Sequence, residues 1–179
     1  MLIMKKLKVP LTAYSEETIQ TFNRCGCLLV SGKTKKANVM TIGWGLIGIL
    51  WGKPFFMVAV RHSRHTHNFI EEVGDFTVNV PKKGMEKIVK YCGTVSGRKY
   101  DKFKEKGLTL MPGKKVNSPI ISECVIHYEC KVAFKSEVIS SGLPRKIKWM
   151  YYKLGDYHTL YFGEILAAFA DEDAASHLV

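Results

Sequence analysis

Acidic residues are scarce in this sequence: 16 Asp and Glu stand against 27 Lys and Arg, a formal net charge of +11 over 179 residues. That balance selects anionic partners. Cysteines are few. Cys25, Cys27, Cys92, Cys124 and Cys130 form an odd set without paired spacing, which excludes a disulfide framework and sets the expectation of a reducing cytoplasm. Long apolar runs are missing too. The opening MLIMKKLKVP holds none that reads as a signal peptide, and the stretch from Ile42 to Trp51 carries three glycines and reaches only half a membrane span. No membrane association is expected.

Repeats, low-complexity linkers, metal-ligand spacings, paired carboxylates and nucleophile triads are absent as well. One domain over 1–179 follows, and its 46% hydrophobic content can bury a core without disulfide or metal staples. The positive charge comes in short clusters, such as Lys33, Lys35 and Lys36, or Arg98 and Lys99 followed by Lys102, Lys104 and Lys106. None forms a basic tail or a DNA-reading helix.

A polar segment from Tyr14 to Phe22 reads as a short helix with Ser15 as cap and Glu16 and Glu17 in its first turn. From Cys25 the pattern turns to β. CGCLLVS, VMTIGWG and PFFMVAV predict three consecutive antiparallel strands. Thr66 to Val73 predicts a helix with a capping hydroxyl, stopped by Gly74, and FTVNVP a further strand. Met85 to Tyr91, closed near Gly93, and Tyr100 to Lys106, ended by Gly107, predict two more helices. PIISECVIHYECKVAFKSEV and HTLYFGEILAAFA are long strands around a loop at Gly142 and Pro144. The pattern implies a mainly β fold, a β-barrel with peripheral helices.

Several motifs carry chemistry. Gly43-Trp44-Gly45-Leu46-Ile47-Gly48 fits GxGxxG, but Gly52 and Pro54 leave no room for the helix a pyrophosphate needs, so the dinucleotide reading is rejected. Close approach of backbone to a flat ligand, or a barrel bend, explains the glycines equally well. RHSRHTH brings Arg61, Ser63, Arg64 and Thr66 to a strand–helix junction, a set suited to a phosphate monoester or to an exposed polar turn. Its His62, His65 and His67 lack a neighbouring carboxylate or thiolate, so no metal is assigned. CGTVSGRKYDKF offers a small-residue loop of Cys92, Gly93, Ser96 and Gly97 with Lys102 beside it, or an ordinary helix stop. Cys25 and Cys27 alternate on one strand face and read as core. No catalytic residue is assigned; His158, with Glu164 on the same face, is the one candidate acid or base.

In this order, NVMTIGWG, PFFMVAVRHSRHTHNFI, FTVNVP, CGTVSGRKYDKF and GDYHTLYFGEI resemble the flavin reductase-like, FMN-binding split-barrel family, close to the flavoredoxins. The resemblance spans nearly the whole chain. It implies a homodimeric Greek-key split barrel with FMN near the subunit interface. On that reading Met40, Thr41, Ile42, Gly43 and Trp44 line the isoalloxazine. Arg61, Ser63, Arg64 and Thr66 surround the phosphate and ribityl chain. Cys92, Gly93, Ser96, Gly97 and Lys102 complete the pocket, with His158 toward the ring or a nicotinamide. Gly43 stands where many relatives carry serine, leaving only its amide to bond there. Electron partners are then NAD(P)H, or an acidic electron-transfer protein attracted by the positive field. The competing class is a basic barrel for single-stranded nucleic acid, and Tyr151, Tyr152 and Lys153 after Lys148 are the nearest approach to its signature.

Overall fold

The computed structural model describes residues 6–178. In chain order the chain forms β1 (Leu7–Val9), α1 (Ser15–Arg24), β2 (Cys27–Lys33), β3 (Lys36–Ile42), β4 (Gly45–Leu50) and β5 (Lys53–Arg61). Then come α2 (His65–Val73), β6 (Asp75–Val80), α3 (Glu86–Thr94), α4 (Lys102–Lys106), β7 (Leu110–Met111) and β8 (Ile120–Ile121). The last elements are β9 (Ile126–Glu137), α5 (Arg145–Tyr151) and β10 (His158–Ala170), with short 3-10 turns at Ser140–Gly142 and Ala174–His177.

The main sheet is antiparallel and runs β3-β2-β6-β9-β10-β5-β4, with β1 pairing the far end of β10. Only Gly43 and Trp44 link β3 to β4, the two ends of that order. The sheet therefore curls until its ends meet at that link, which is the split barrel the resemblance implied. Register irregularities between Phe162 and Gly163 and between Ile165 and Ala167 help the long β9–β10 pair to coil. Gly163 is required there, because a Cβ would meet the Phe76 ring at 2.6 Å and Cys130 Cβ at 2.8 Å.

Alternation along the strands divides the core in two. Cys27 and Leu29 point into the barrel with Phe56, Phe76, Tyr128, Tyr161 and Ile165. Leu28 and Val30 point the other way, onto Met85, Val89 and Cys92 around α3. This second layer explains why β2 is buried on both faces. Each fully buried apolar side chain contributes about 1.5–3 kcal/mol, so α3 is held firmly over β2 and β3.

Local details depart from the sequence pattern. β3 and β5 are not neighbours; an additional strand, β4, lies between them in the chain and pairs with β5 through a turn at Trp51 and Gly52, both at positive φ. Ser15 is inside α1 rather than its cap, since Tyr14 holds the N-cap position. α2 begins at His65 without a capping side chain, and the Thr66 hydroxyl instead accepts from Asn38 Nδ2 at 2.7 Å. α3 runs on to Thr94, so Cys92 and Gly93 lie in its last turn and not in a loop. The stretch from Pro119 is broken between β8 and β9, and the loop after Pro144 contains α5. Cys25 follows α1 outside any strand and packs on the α3 side, whereas Cys27 is in the barrel core; the two sulfurs do not share a face.

Candidate functional site

Two adjoining cavities lie along β3. The first, of about 230 Å3, is lined by Met40 to Trp44 together with Ala59, Arg61, Arg64 and His158. The second, of about 120 Å3, is lined by Asn38, Met40, Ser63 to Thr66, Cys92, Thr94 to Gly97, and Lys102. Met40 and Arg64 belong to both, so one groove passes from a chamber bordered by the β3–β4 link to one lined by the β5–α2 junction and the end of α3. Gly43 has nothing within 4 Å of where its Cβ would stand, so its backbone borders open space.

The fold brings this set together for identifiable reasons. β5 and β10 pair with His158 opposite Arg61, which sets both at the mouth of the first chamber. The β5–α2 junction then turns Ser63 and Arg64 toward α3, whose last turn supplies Cys92 and Gly93. Arg64 donates to Gly93 O at 2.9 Å, and Thr41 donates to Val89 O, so α3 is fastened to both walls. Lys102, only 4% exposed, donates to Cys92 O at 2.9 Å. Burial pushes its ammonium down to about 8. That bond uses one of three N–H donors and leaves two for an anion.

The end of α5 and the segment after it pack behind residues that line the first chamber. Arg61 donates to the carbonyls of Asp156 and Tyr151, and its guanidinium lies 5.2 Å from the Tyr152 ring centroid. Tyr152 OH meets His158 Nδ1 at 2.8 Å, and Trp44 packs against Tyr151 and His158 at 5.1 and 4.9 Å. Burial, aided by the charge of Arg61, lowers His158 to about 4, so its imidazole is neutral at neutral pH. Burial also raises the Cys92 thiol to about 11, which keeps it protonated and poorly nucleophilic.

Of the residues assigned from sequence, every one but Gly93 lines one of the two chambers. Arg61 lines the first chamber and not the polar one, because its donors are drawn toward Tyr151 and Asp156. Ser63 lines the polar chamber but commits its hydroxyl to Asp156 Oδ2 at 2.7 Å. Gly93 lies behind the groove, where a Cβ would meet Thr41 Cβ at 3.1 Å. His62 and His67 face each other at 4.6 Å between ring centroids and share the Thr159 hydroxyl, with His62 on Glu137 at 2.7 Å, a carboxylate the sequence spacing did not reveal, while His65 alone turns toward the polar chamber. Glu164 pairs with Lys53 away from His158. Gly45 opens a strand and not a helix, in keeping with the rejected dinucleotide reading.

Asn38, Ala59, His65, Tyr151 and Tyr152 were missed. Asn38 stands within the NVMTIGWG block, but α5 and its tyrosines carry no motif. Tyr151, Tyr152 and Lys153 form no stacking strand; they end a helix, and Lys153 lies 4.1 Å over the Trp149 ring.

The family described as flavin reductase like domain matches residues 21–179. An uncharacterized protein from Archaeoglobus fulgidus is 40% identical over 139 residues, 78% of this chain and 68% of that one. Among solved structures, flavoredoxin from Methanosarcina acetivorans is 32% identical with a TM-score of 0.66, covering 82% of this chain and 68% of that one. Flavoredoxin of Desulfovibrio vulgaris (Miyazaki F) is 25% identical with a TM-score of 0.66, covering 83% and 70%. The split barrel, the groove along β3 and the match over most of its length establish that the chain belongs to the flavin reductase-like family, with a flavin-related function.

Proposed function

We propose that the groove holds FMN non-covalently and that the protein works by passing electrons through the flavin ring. One observation carries the reading: an open chamber bordered by the Gly43 backbone leads directly into a polar chamber holding a buried ammonium with unused donors. A flat ring with a phosphate tail has that shape and that polarity. Bound flavin supplies an acceptor and donor of one or two electrons, so no side-chain nucleophile is needed. The residues of this chain bind and orient. Thr41 to Trp44 border the ring, Arg64 and Lys102 face the phosphate and ribityl end, and the Tyr152–His158 pair keeps a neutral imidazole beside the ring chamber.

The visible spectrum of purified protein, before and after acid release of the chromophore, tests the reading. Flavin bands in the released fraction support it; colourless protein that takes up no added FMN overturns it. Electron carriage between proteins is preferred to flavin reduction by NAD(P)H, because the sequence has no nicotinamide-binding motif and its +11 charge suits an acidic redox partner. Rapid steady-state consumption of NAD(P)H with free FMN would reverse that preference. A second copy of the chain is proposed to cover β4, paired on one side only, where Leu46 and Ile49 are 64 and 68% exposed and Trp51, in the turn that follows, is 68% exposed.

A further inference from the structure

The segment that joins β9 to β10 carries charge of one sign. No Asp or Glu lies between Glu137 and Asp156, while Arg145, Lys146, Lys148 and Lys153 all fall there. Both flanking carboxylates are committed elsewhere: Glu137 meets His62 and accepts from Thr159, and Asp156 accepts from the Ser63 hydroxyl. None of the four cations forms an ion pair among the described residues. Their charge is left for something outside the chain.

The same segment exposes apolar surface. Not one side chain of α5 is buried. Trp149 and Met150 are 67 and 46% exposed, and Leu154, just past the helix, is 96% exposed. A seven-residue helix does not persist by itself, and packing ordinarily makes up the deficit. The tethers of α5 lie at its C-terminal end, where Arg61 donates to Tyr151 O at 2.8 Å and Trp44 packs on the Tyr151 ring. Arg61 and Trp44 both line the ring chamber, so whatever covers α5 stands beside that chamber.

Unpaired cations around apolar side chains fit a surface of carboxylates around an apolar contact. A second copy meeting α5 across a two-fold axis would set like charges together. The β4 surface proposed for that copy has no charged residue from Gly43 to Trp51. An anionic lipid surface would match the charge but gives no reason for its place beside the ring chamber.

We propose that α5 and the residues up to Leu154 dock a small acidic protein that carries one electron at a time, bringing its redox centre beside the ring chamber. This deepens the flavin reading, on which its redox role rests, although the contact itself does not need bound flavin. Each encounter moves one electron from the reduced partner to the flavin, so two encounters, with protons from water, complete the reduction.

Calorimetry reads the contact with two oxidised probes, an acidic two-iron ferredoxin and an acidic flavodoxin, on protein with and without FMN. FMN titrated alone tests the reading beneath. The variants are Lys146→Glu with Lys153→Glu, Trp149→Ala, and, for the same change of charge elsewhere on the exposed surface, Lys35→Glu with Lys99→Glu. At least one probe should bind wild type with a Kd of about 100 μM or tighter, weakening with salt. Both α5 variants should lose at least about tenfold, with unchanged far-ultraviolet spectra, and the Lys35, Lys99 variant less than about threefold. Reduction of FMN-loaded protein by the reduced probe should slow in the same order. Binding by neither probe, or equal losses in the two double variants, overturns the proposal. So does sedimentation showing that the α5 variants change the oligomeric state, since a second copy then covers the helix. A probe that binds as expected to protein that takes up no FMN leaves the contact standing and removes the flavin reading.

Discussion

At the scale of single residues, Lys102 carries the most consequence. Its ammonium is buried beside the polar chamber, donates to one carbonyl, and is lowered to about 8 by desolvation. A charged hydrogen bond to a phosphate is worth about 1.5–3 kcal/mol, so Lys102→Met should weaken FMN about 10- to 100-fold and riboflavin, which lacks the phosphate, very little. The pH dependence follows from the same group. Only the protonated form attracts the dianion, so FMN affinity should fall as pH rises through about 8, and Lys102→Met should flatten that profile. Stability of the ligand-free protein moves the opposite way. The lysine is lowered from 10.5, so the penalty of burying its charge is present below pH 8 and is relieved between there and 10.5. Fluorescence titration of FMN and riboflavin from pH 6.5 to 9.5 checks both variant and profile; equal losses for the two ligands would count against the assignment.

At the scale of elements, α4 shows how a short helix is made to hold position. It has five residues, too few to persist alone, but Asp101 caps two backbone donors and Gly107 closes it at φ 61. Asp101→Ala should cost about 1 kcal/mol, read as a lower urea midpoint at unchanged slope, and should loosen the wall that carries Lys102. Elements with such local signals were legible in the sequence. β10 was read over its full length because HTLYFGEILAAFA is branched, aromatic and uninterrupted, and Gly74 and Gly107 marked their helix ends correctly. β4 was not legible: two of the six residues in GLIGIL are glycine, and the turn that pairs it to β5 places Trp51 at positive φ, which no propensity suggests. α5 was hidden for a different reason. Arg145 and Lys146 oppose the dipole in its first turn, and its contacts with Arg61 and Trp44 come from remote parts of the chain. Most of the residues lining the groove were therefore legible on motif blocks, Asn38 and His65 of those same blocks excepted, while those brought in by tertiary contact, such as Tyr152, carried no signal.

At the scale of the whole molecule, the sheet leaves β4 as a strand with one unpaired edge, and that strand starts from the link that borders the ring chamber. Trp44, at the start of this edge, is 43% exposed although it packs on His158. Leu46 and Ile49, on its two faces, and Trp51 in the turn beyond are also exposed, with Phe134 meeting Trp51 at 6.4 Å. An unpaired edge bearing large apolar side chains favours association, and a second copy would bury it while shielding the open side of the ring chamber. Ile49→Lys places a charge in that surface without touching the buried core, so the variant should fold with an unchanged far-ultraviolet spectrum. Sedimentation should then give a dimer for the wild type and a monomer for Ile49→Lys. FMN affinity should drop with dissociation, since the ring chamber loses its cover while Lys102 and the polar chamber stay intact. A wild type that is monomeric at all concentrations, or a monomeric variant that binds FMN as the parent does, would separate the exposed strand from the cofactor site.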